Sequence, residues 1–258
     1  TSILNRGKIL KYTLFALVLI IICPKSIYHM PSYDIDSSWL LGLEMAIQKN
    51  LIFGSDIVFT WGPLSFLTTC FGIYKSPYLV FIFHVFHFLN VIYFIYYLFL
   101  KTKGKNEVFF IVLLLLIYGK FLFIKAPLCF LFVSLFQIFY FLKHGTKTSI
   151  IIFSIYTVIS PFVKVDFGFI IVFYYLIFLI YNVFCLKQNL FFHVVVSTFS
   201  MVTIIAISQF LNVNVKDYLL NSWFIINSYN DAMVIMPDNH FQLFSSLIII
   251  LIFFISMI

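Results

Sequence analysis

The stretch from Lys143 to Lys187, KHGTKTSIIIFSIYTVISPFVKVDFGFIIVFYYLIFLIYNVFCLK, decides how this chain is built. Between its basic ends the apolar run is broken only around Ser160, Pro161, Lys164 and Asp166. As one helix at about 1.5 Å per residue, the run would reach roughly 55 Å, against a hydrocarbon core of about 30 Å. Folded at the break, it becomes two helices, Ser149 to Val163 and Phe167 to Leu186, that return both basic ends to one side of a bilayer.

The preceding block yields to the same argument. Val108 to Leu142 lies between Lys101, Lys103 and Lys105 on one side and Lys143 and Lys147 on the other, with Lys120, Lys125 and Pro127 marking a turn. It divides into Val108 to Ile124 and Ala126 to Leu142. Further apolar stretches at Ile9 to Cys23, Pro77 to Leu100, Leu190 to Leu211 and Phe241 onward complete an expectation of about eight spans. All must be helices, because lipid offers no partner to a bare backbone and the alternating ten-residue pattern of barrel strands is missing. The fold class expected is therefore an all-α polytopic transmembrane bundle, a single domain over residues 1–258.

Composition agrees. Of 258 residues, 63% are apolar and 10% charged, with a mean hydropathy of +1.10, whereas soluble domains carry roughly 25% charged residues. Four cysteines, Cys23, Cys70, Cys129 and Cys185, show neither metal-ligand nor disulfide-framework spacing. The chain opens on Thr1 and stops at Ile258 within an apolar run, which reads as a fragment of a longer protein. Cys23-Pro24-Lys25 lacks a small-x-small cleavage site, so the first span is read as retained.

Charge sets the orientation. With the N-terminus inside, Arg6, Lys8, Lys11, Lys101, Lys103, Lys105, Lys143, Lys147 and Lys187 face the cytoplasm against one acid, Glu107. The other eight acids, Asp34, Asp36, Glu44, Asp56, Asp166, Asp217, Asp231 and Asp238, fall outside with the remaining lysines. The formal +7 is thus an orientation signal, and nucleic-acid binding, which needs a basic soluble face, is excluded as a partner class.

Two outer segments exceed what a turn needs: Pro24 to Ser76 and Asn212 to His240. In the first, Ser37 and Ser38 are expected to cap an interfacial helix from about Trp39 to Lys49, ended by Gly54. Trp39 and Trp61 suit headgroup depth. Asp34 and Asp36 form an Asp-x-Asp pattern beyond the first span, and a carboxylate there can take a proton from a hydroxyl or hold a divalent cation. Lys164, on the outer turn, suits a lipid phosphate, while the alternative is a local pair with Asp166. His84, His87 and Asn90 share one helical face and read as interhelical hydrogen-bonding groups, as substrate contacts or, though His-x-x-His lacks a third ligand nearby, as metal ligands; Gln137 and Gln209 read as ties between helices. Lys216, Asp217, Trp223, Asp231, Asp238 and His240 in the second outer segment suit sugar binding or an ordinary wet loop.

This layout, an acidic pair in the first outer loop followed by an interfacial helix and many spans, resembles the GT-C membrane glycosyltransferases. Asp36-Ser37-Ser38-Trp39, Phe59-Thr60-Trp61-Gly62-Pro63-Leu64, Val163-Lys164-Val165-Asp166 and Ser228-Tyr229-Asn230-Asp231-Ala232-Met233 are also similar to elements of poorly characterised bacterial multispan proteins, D-x-S-W, FTYGPL and GYSDAM, with Trp61 in place of Tyr and Ser228 in place of Gly.

The GT-C resemblance implies a polyprenyl-phosphate sugar donor, a glycan, lipid or protein acceptor, and Asp36 or Asp34 as catalytic base. The expected substrate-binding residues are Lys164, Asp166, Trp39, Trp61, His84 and His87. The residues specify no particular cofactor, and a divalent cation is optional. The location expected is the bacterial inner membrane, with the reaction at its outer face. The competing expectation is a multispan transporter or flippase, whose polar intramembrane residues would line a path.

Overall fold

In a computed structural model of the chain, the described residues are 12–13, 15–17, 35–69, 77–101, 127–186 and 190–233. They form the helices α1 (Ile35–Gln48), α2 (Phe66–Thr69), α3 (Pro77–Lys101), α4 (Pro127–His144), α5 (Lys147–Val163), α6 (Val165–Tyr181), α7 (Leu190–Phe210) and α8 (Val215–Met233). A π-helical turn, Asn182–Leu186, extends α6. Among the described residues the chain is all-helical, with isolated bridges in place of strands.

The decisive stretch folds back on itself. Lys164 is extended (φ −154°, ψ 122°) and separates α5 from α6 by one residue. Phe153 meets Tyr175 with ring centroids 5.3 Å apart, so the two helices run antiparallel. So tight an apex needs the two backbones in contact. Gly168 provides this, since a Cβ there would fall 2.6 Å from the Pro161 nitrogen.

Antiparallel packing continues into α7, where Tyr175 Oη lies 2.9 Å from Ser197 Oγ and Phe178 meets His193. By contrast, α3 and α4 run parallel. His87 meets Phe130, Tyr93 meets Phe136, and Tyr97 meets Tyr140, at a constant register. Lys101 and Pro127 therefore lie at opposite ends of the bundle.

Three helical stretches, Pro77–Tyr97, Val165–Phe184 and Leu190–Phe210, are long and apolar enough to cross a membrane. Phe130–His144 and Lys147–Val163 are apolar but shorter. Large side chains such as Phe191, Phe199 and Phe210 stand exposed along α7, a surface that suits lipid and would be costly in water. The chain is a membrane protein. The expected spans at Ile9 to Cys23, Val108 to Ile124 and Phe241 onward lie wholly or mostly outside the described residues.

Two expectations about the stretches Pro24 to Ser76 and Asn212 to His240 need correction. The helix expected from about Trp39 begins at Ile35, so Ser37 and Ser38 lie inside its first turn and do not cap it. An acid at position 36 suits this start, because the helix N-terminus favours negative charge. The helix ends at Gln48, ahead of Gly54, and Asn50 takes the left-handed conformation (φ 54°). The second correction concerns Asn212 to His240, which is helix over most of its length. Asn214 caps α8, accepting from the Asp217 backbone N–H at 3.3 Å and donating from Nδ2 to the Asp217 carboxylate at 2.6 Å. This reciprocal pairing is a variant of the capping box.

Candidate functional site

The bundle end that carries the α5–α6 apex also gathers the Phe59–Leu64 strip, α1 and α8. Phe59 to Leu64, where Gly62-Pro63 disfavours a helix, lies along the apex as a bridge at Trp61 followed by a turn at Pro63 and Leu64. The Gly62 N–H bonds the Val163 carbonyl at 3.1 Å, the Val165 N–H bonds the Thr60 carbonyl at 2.9 Å, and the Leu64 N–H bonds the Phe162 carbonyl at 2.8 Å. Trp61 and Lys164 thus face one another in an antiparallel bridge. The backbone groups that the break in the helix leaves orphaned are satisfied by a partner distant in sequence.

This pairing fixes where the lysine goes. Lys164 Nζ sits 3.0 Å from Asp166 Oδ2, 5.3 Å from the Trp61 ring centroid and 5.0 Å from that of Phe167. Both members of the ion pair are partly exposed, at 22% and 35%, so the charge is held in place and remains reachable. Trp61 is in turn tilted against Trp39 of α1 at 5.7 Å, and Trp39 against Phe59 at 5.0 Å. Helix α1 packs into the bundle through Leu43, Ala46 and Ile47, with Glu44 buried beside them.

Helix α8 closes the arrangement. Tyr218 is buried and donates its hydroxyl to the Pro161 carbonyl at 3.1 Å. Burial first, and the negative charge of Asp166 second, push its phenol well above the usual tyrosine range, so it keeps its proton and remains a donor. Gly62 lies so close to the Phe162 carbonyl and the Tyr218 hydroxyl that any side chain would collide with both. Asn221 donates to the Gly54 carbonyl at 2.8 Å and Ser222 to the Phe59 carbonyl at 3.1 Å. The loop is therefore held from both sides, by the apex and by α8.

Several expected site residues meet here: Trp39, Trp61, Lys164 and Asp166. Position 36 lies on α1, one turn before Trp39, with its side chain outside what is described; Asp34, Lys120, Lys125, Asp238 and His240 are outside the described residues altogether. In α8, Lys216 and Trp223 are exposed, and the side chain of Asp231 is likewise not among those described. His84 and His87 belong to a different region, the seam between α3, α4 and α5. There the ring of His84 bonds the Leu67 backbone and His87 Nδ1 lies 2.7 Å from Tyr156 Oη. Gln137 crosses to Asn90, Nε2 to Oδ1, at 3.2 Å.

Tyr218 and Gly62 escaped the sequence reading as working parts. Asn214 and Asp217, spaced as a cap, were the available sign that a helix would carry Tyr218 into the site. Among the described residues, no group of three His, Cys, Asp or Glu side chains is placed to hold a metal ion, and the Asp166 carboxylate is already engaged by Lys164. Comparison of the chain with protein-family models, with curated proteins and with solved structures returned no match.

Proposed function

We propose that the chain is the membrane part of a GT-C-type glycosyltransferase that moves a sugar from a polyprenyl-phosphate donor to an acceptor hydroxyl at the outer face of a bacterial inner membrane. The observation that carries the reading is the Trp61–Lys164 bridge: it holds a reachable ammonium beside aromatic rings and, through Trp39, beside the helix that bears Asp36. A fixed cation bordered by indoles suits a ligand whose headgroup is anionic and whose tail is apolar.

In this mechanism the acceptor oxygen attacks the anomeric carbon while Asp36, or Asp34, takes its proton. The bond from that carbon to the phosphate oxygen breaks, and the electron pair leaves on the phosphate, where Lys164 stabilises the charge. Asp166 orients the lysine, and the Trp39–Trp61 pair shapes the groove where lipid tail meets water.

The accompanying topology has about eight spans and a cytoplasmic N-terminus. Its support is that α3 and α4 run parallel, so that Lys101 and Pro127 lie at opposite ends of the bundle. Further support is that Lys101, Lys143 and Lys147 collect at the end opposite Asp56, Asp166 and Asp217.

The test is transfer of sugar by purified protein in lipid. Asp36→Asn and Asp34→Asn should bind donor and fail to transfer in at least one case, and full activity in both singles and in the double variant overturns the base. Lys164→Ala should weaken donor binding about tenfold or more, the scale of one charge-assisted hydrogen bond.

A transporter or flippase is the second reading, favoured by the buried polar groups His84, His87, Asn90 and Gln137 deep between helices. It predicts movement of a lipid-linked or small polar substrate across sealed vesicles without chemical change.

A further inference from the structure

Helix α8 holds the bundle through its polar groups. Tyr218, Asn221 and Ser222 lie within about one helical turn and donate hydrogen bonds inward, to the carbonyls of Pro161, Gly54 and Phe59. At about 100° per residue, Leu220 sits nearly opposite Tyr218. Beside it on that outward side stand Trp223 and Phe224, so that the three are 49%, 57% and 66% exposed, with Lys216 one turn earlier. Leu219, Ile225 and Ile226 are partly buried. A surface helix of a soluble protein does the reverse, turning its large apolar side chains in and its polar groups out. The medium outside α8 is therefore apolar.

The order of the helices identifies that medium. Because α7 runs antiparallel to α6, it ends at the bundle end that carries the α5–α6 apex, and its last residue, Phe210, is exposed on the same helix as Phe199 and Ile205. Only Leu211 to Asn214 separate it from α8. This turn is tied down, since the Phe53 N–H bonds the Asn212 carbonyl at 3.1 Å and the Asn214 N–H bonds the Phe53 carbonyl at 2.9 Å. The outward face of α8 thus begins where the lipid-facing surface of α7 ends. With Lys216, Asp217, Asn221 and Asn227 along it, α8 is too polar to cross a hydrocarbon core. An apolar face with a large aromatic content and a lysine beside it suits a helix lying along the bilayer surface.

We propose that α8 is an interfacial helix whose partner is the lipid of the leaflet at the apex end. Leu220, Trp223 and Phe224 enter the boundary between headgroups and acyl chains, and Lys216 lays its stem along them and carries its ammonium to the lipid phosphates. Because Tyr218 holds Pro161 and Ser222 holds Phe59, this seat sets the Trp61–Lys164 bridge at headgroup height.

Spin labelling of the protein in bilayers of phosphatidylethanolamine and phosphatidylglycerol tests this. In a cysteine-free background, labels at Leu220→Cys and Phe224→Cys should favour dissolved oxygen over a water-soluble nickel chelate severalfold more than a label at exposed Ser55→Cys does, and should approach the balance found at Ile205→Cys on α7. A balance equal to that of Ser55→Cys places the face in water and overturns the proposal. Poor access to both reagents means that a second copy or another protein covers the face, and overturns it equally. Trp223 gives a reading that needs no label: lipids brominated on the upper acyl carbons should quench a part of the emission that disappears in Trp223→Phe, and the absence of such a part overturns the proposal as well.

Discussion

Trp61 and Lys164 are joined through both backbone and side chain: an antiparallel bridge aligns the main chains, and the ammonium lies 5.3 Å from the indole centroid. Two segments 103 positions apart thus make one surface, in which the Trp61 ring faces the ammonium of a lysine paired to Asp166.

This geometry makes Trp61 a shield. Trp61→Ala should raise the rate of Lys164 modification by a water-soluble amine reagent severalfold, because a cation–π contact worth about 0.5–2 kcal/mol and its steric cover are both lost. Trp61→Tyr keeps an aromatic face and should stay near wild type. Mass spectrometry of the labelled peptide measures both, and equal rates in all three proteins would refute the shield.

Gly62 and Gly42 should respond in opposite directions. Gly62→Ala drives a methyl group into the Phe162 carbonyl and the Tyr218 hydroxyl, and overpacking of this kind costs about 1–3 kcal/mol. At Gly42, exposed on α1, an added Cβ meets nothing within 4 Å, so Gly42→Ala should gain about 0.5–1 kcal/mol from helix propensity. Thermal unfolding in detergent, read as a lower and a higher Tm respectively, checks the pair.

Tyr218→Phe removes the hydrogen bond to Pro161 and should cost about 1 kcal/mol at neutral pH. The sign of its pH dependence follows from the raised phenol. The folded state holds the proton more tightly than the unfolded chain, so the contribution is fully present below about pH 10 and declines as pH rises beyond it. The Tm gap between wild type and Tyr218→Phe should therefore be constant from pH 6 to 9 and close above about pH 10. A gap that widens there would contradict the assignment.

The two ends of the bundle should be reachable from opposite sides. Ser55 is exposed beside the site, and Thr148 is exposed at the α4–α5 turn. In a cysteine-free background, Ser55→Cys should react with an impermeant maleimide in spheroplasts, and Thr148→Cys only after lysis. Labelling of both from one side would refute the orientation.

Much of the bundle was legible because its signals are local. The helix starts at Pro77 and Leu190 follow from runs of apolar residues, the start at Pro127 falls one residue past the expected Ala126, and the α5–α6 break follows from Pro161 and the charges of Lys164 and Asp166. Helix caps were less legible. Position 36 joined α1 because a helix N-terminus tolerates an acid as readily as it accepts a serine cap, and Asn50 ended it because asparagine can adopt positive φ. The pairing of His87 with Tyr156 could not be read at all, since a helical face predicts which residues point inward and not what stands opposite.

The sequence by itself determined that this chain lives in a membrane as packed helices, and that the Lys143 to Lys187 stretch must break near Lys164, because the bilayer penalises every exposed backbone group and every charge carried into it. Only the tertiary structure decided that the Phe59–Leu64 strip completes the broken hydrogen bonding at the α5–α6 apex, and that Tyr218 enters from a third segment to hold it. Those contacts join residues far apart in the chain, and they depend on the absence of a side chain at Gly62 as much as on the presence of the groups around it.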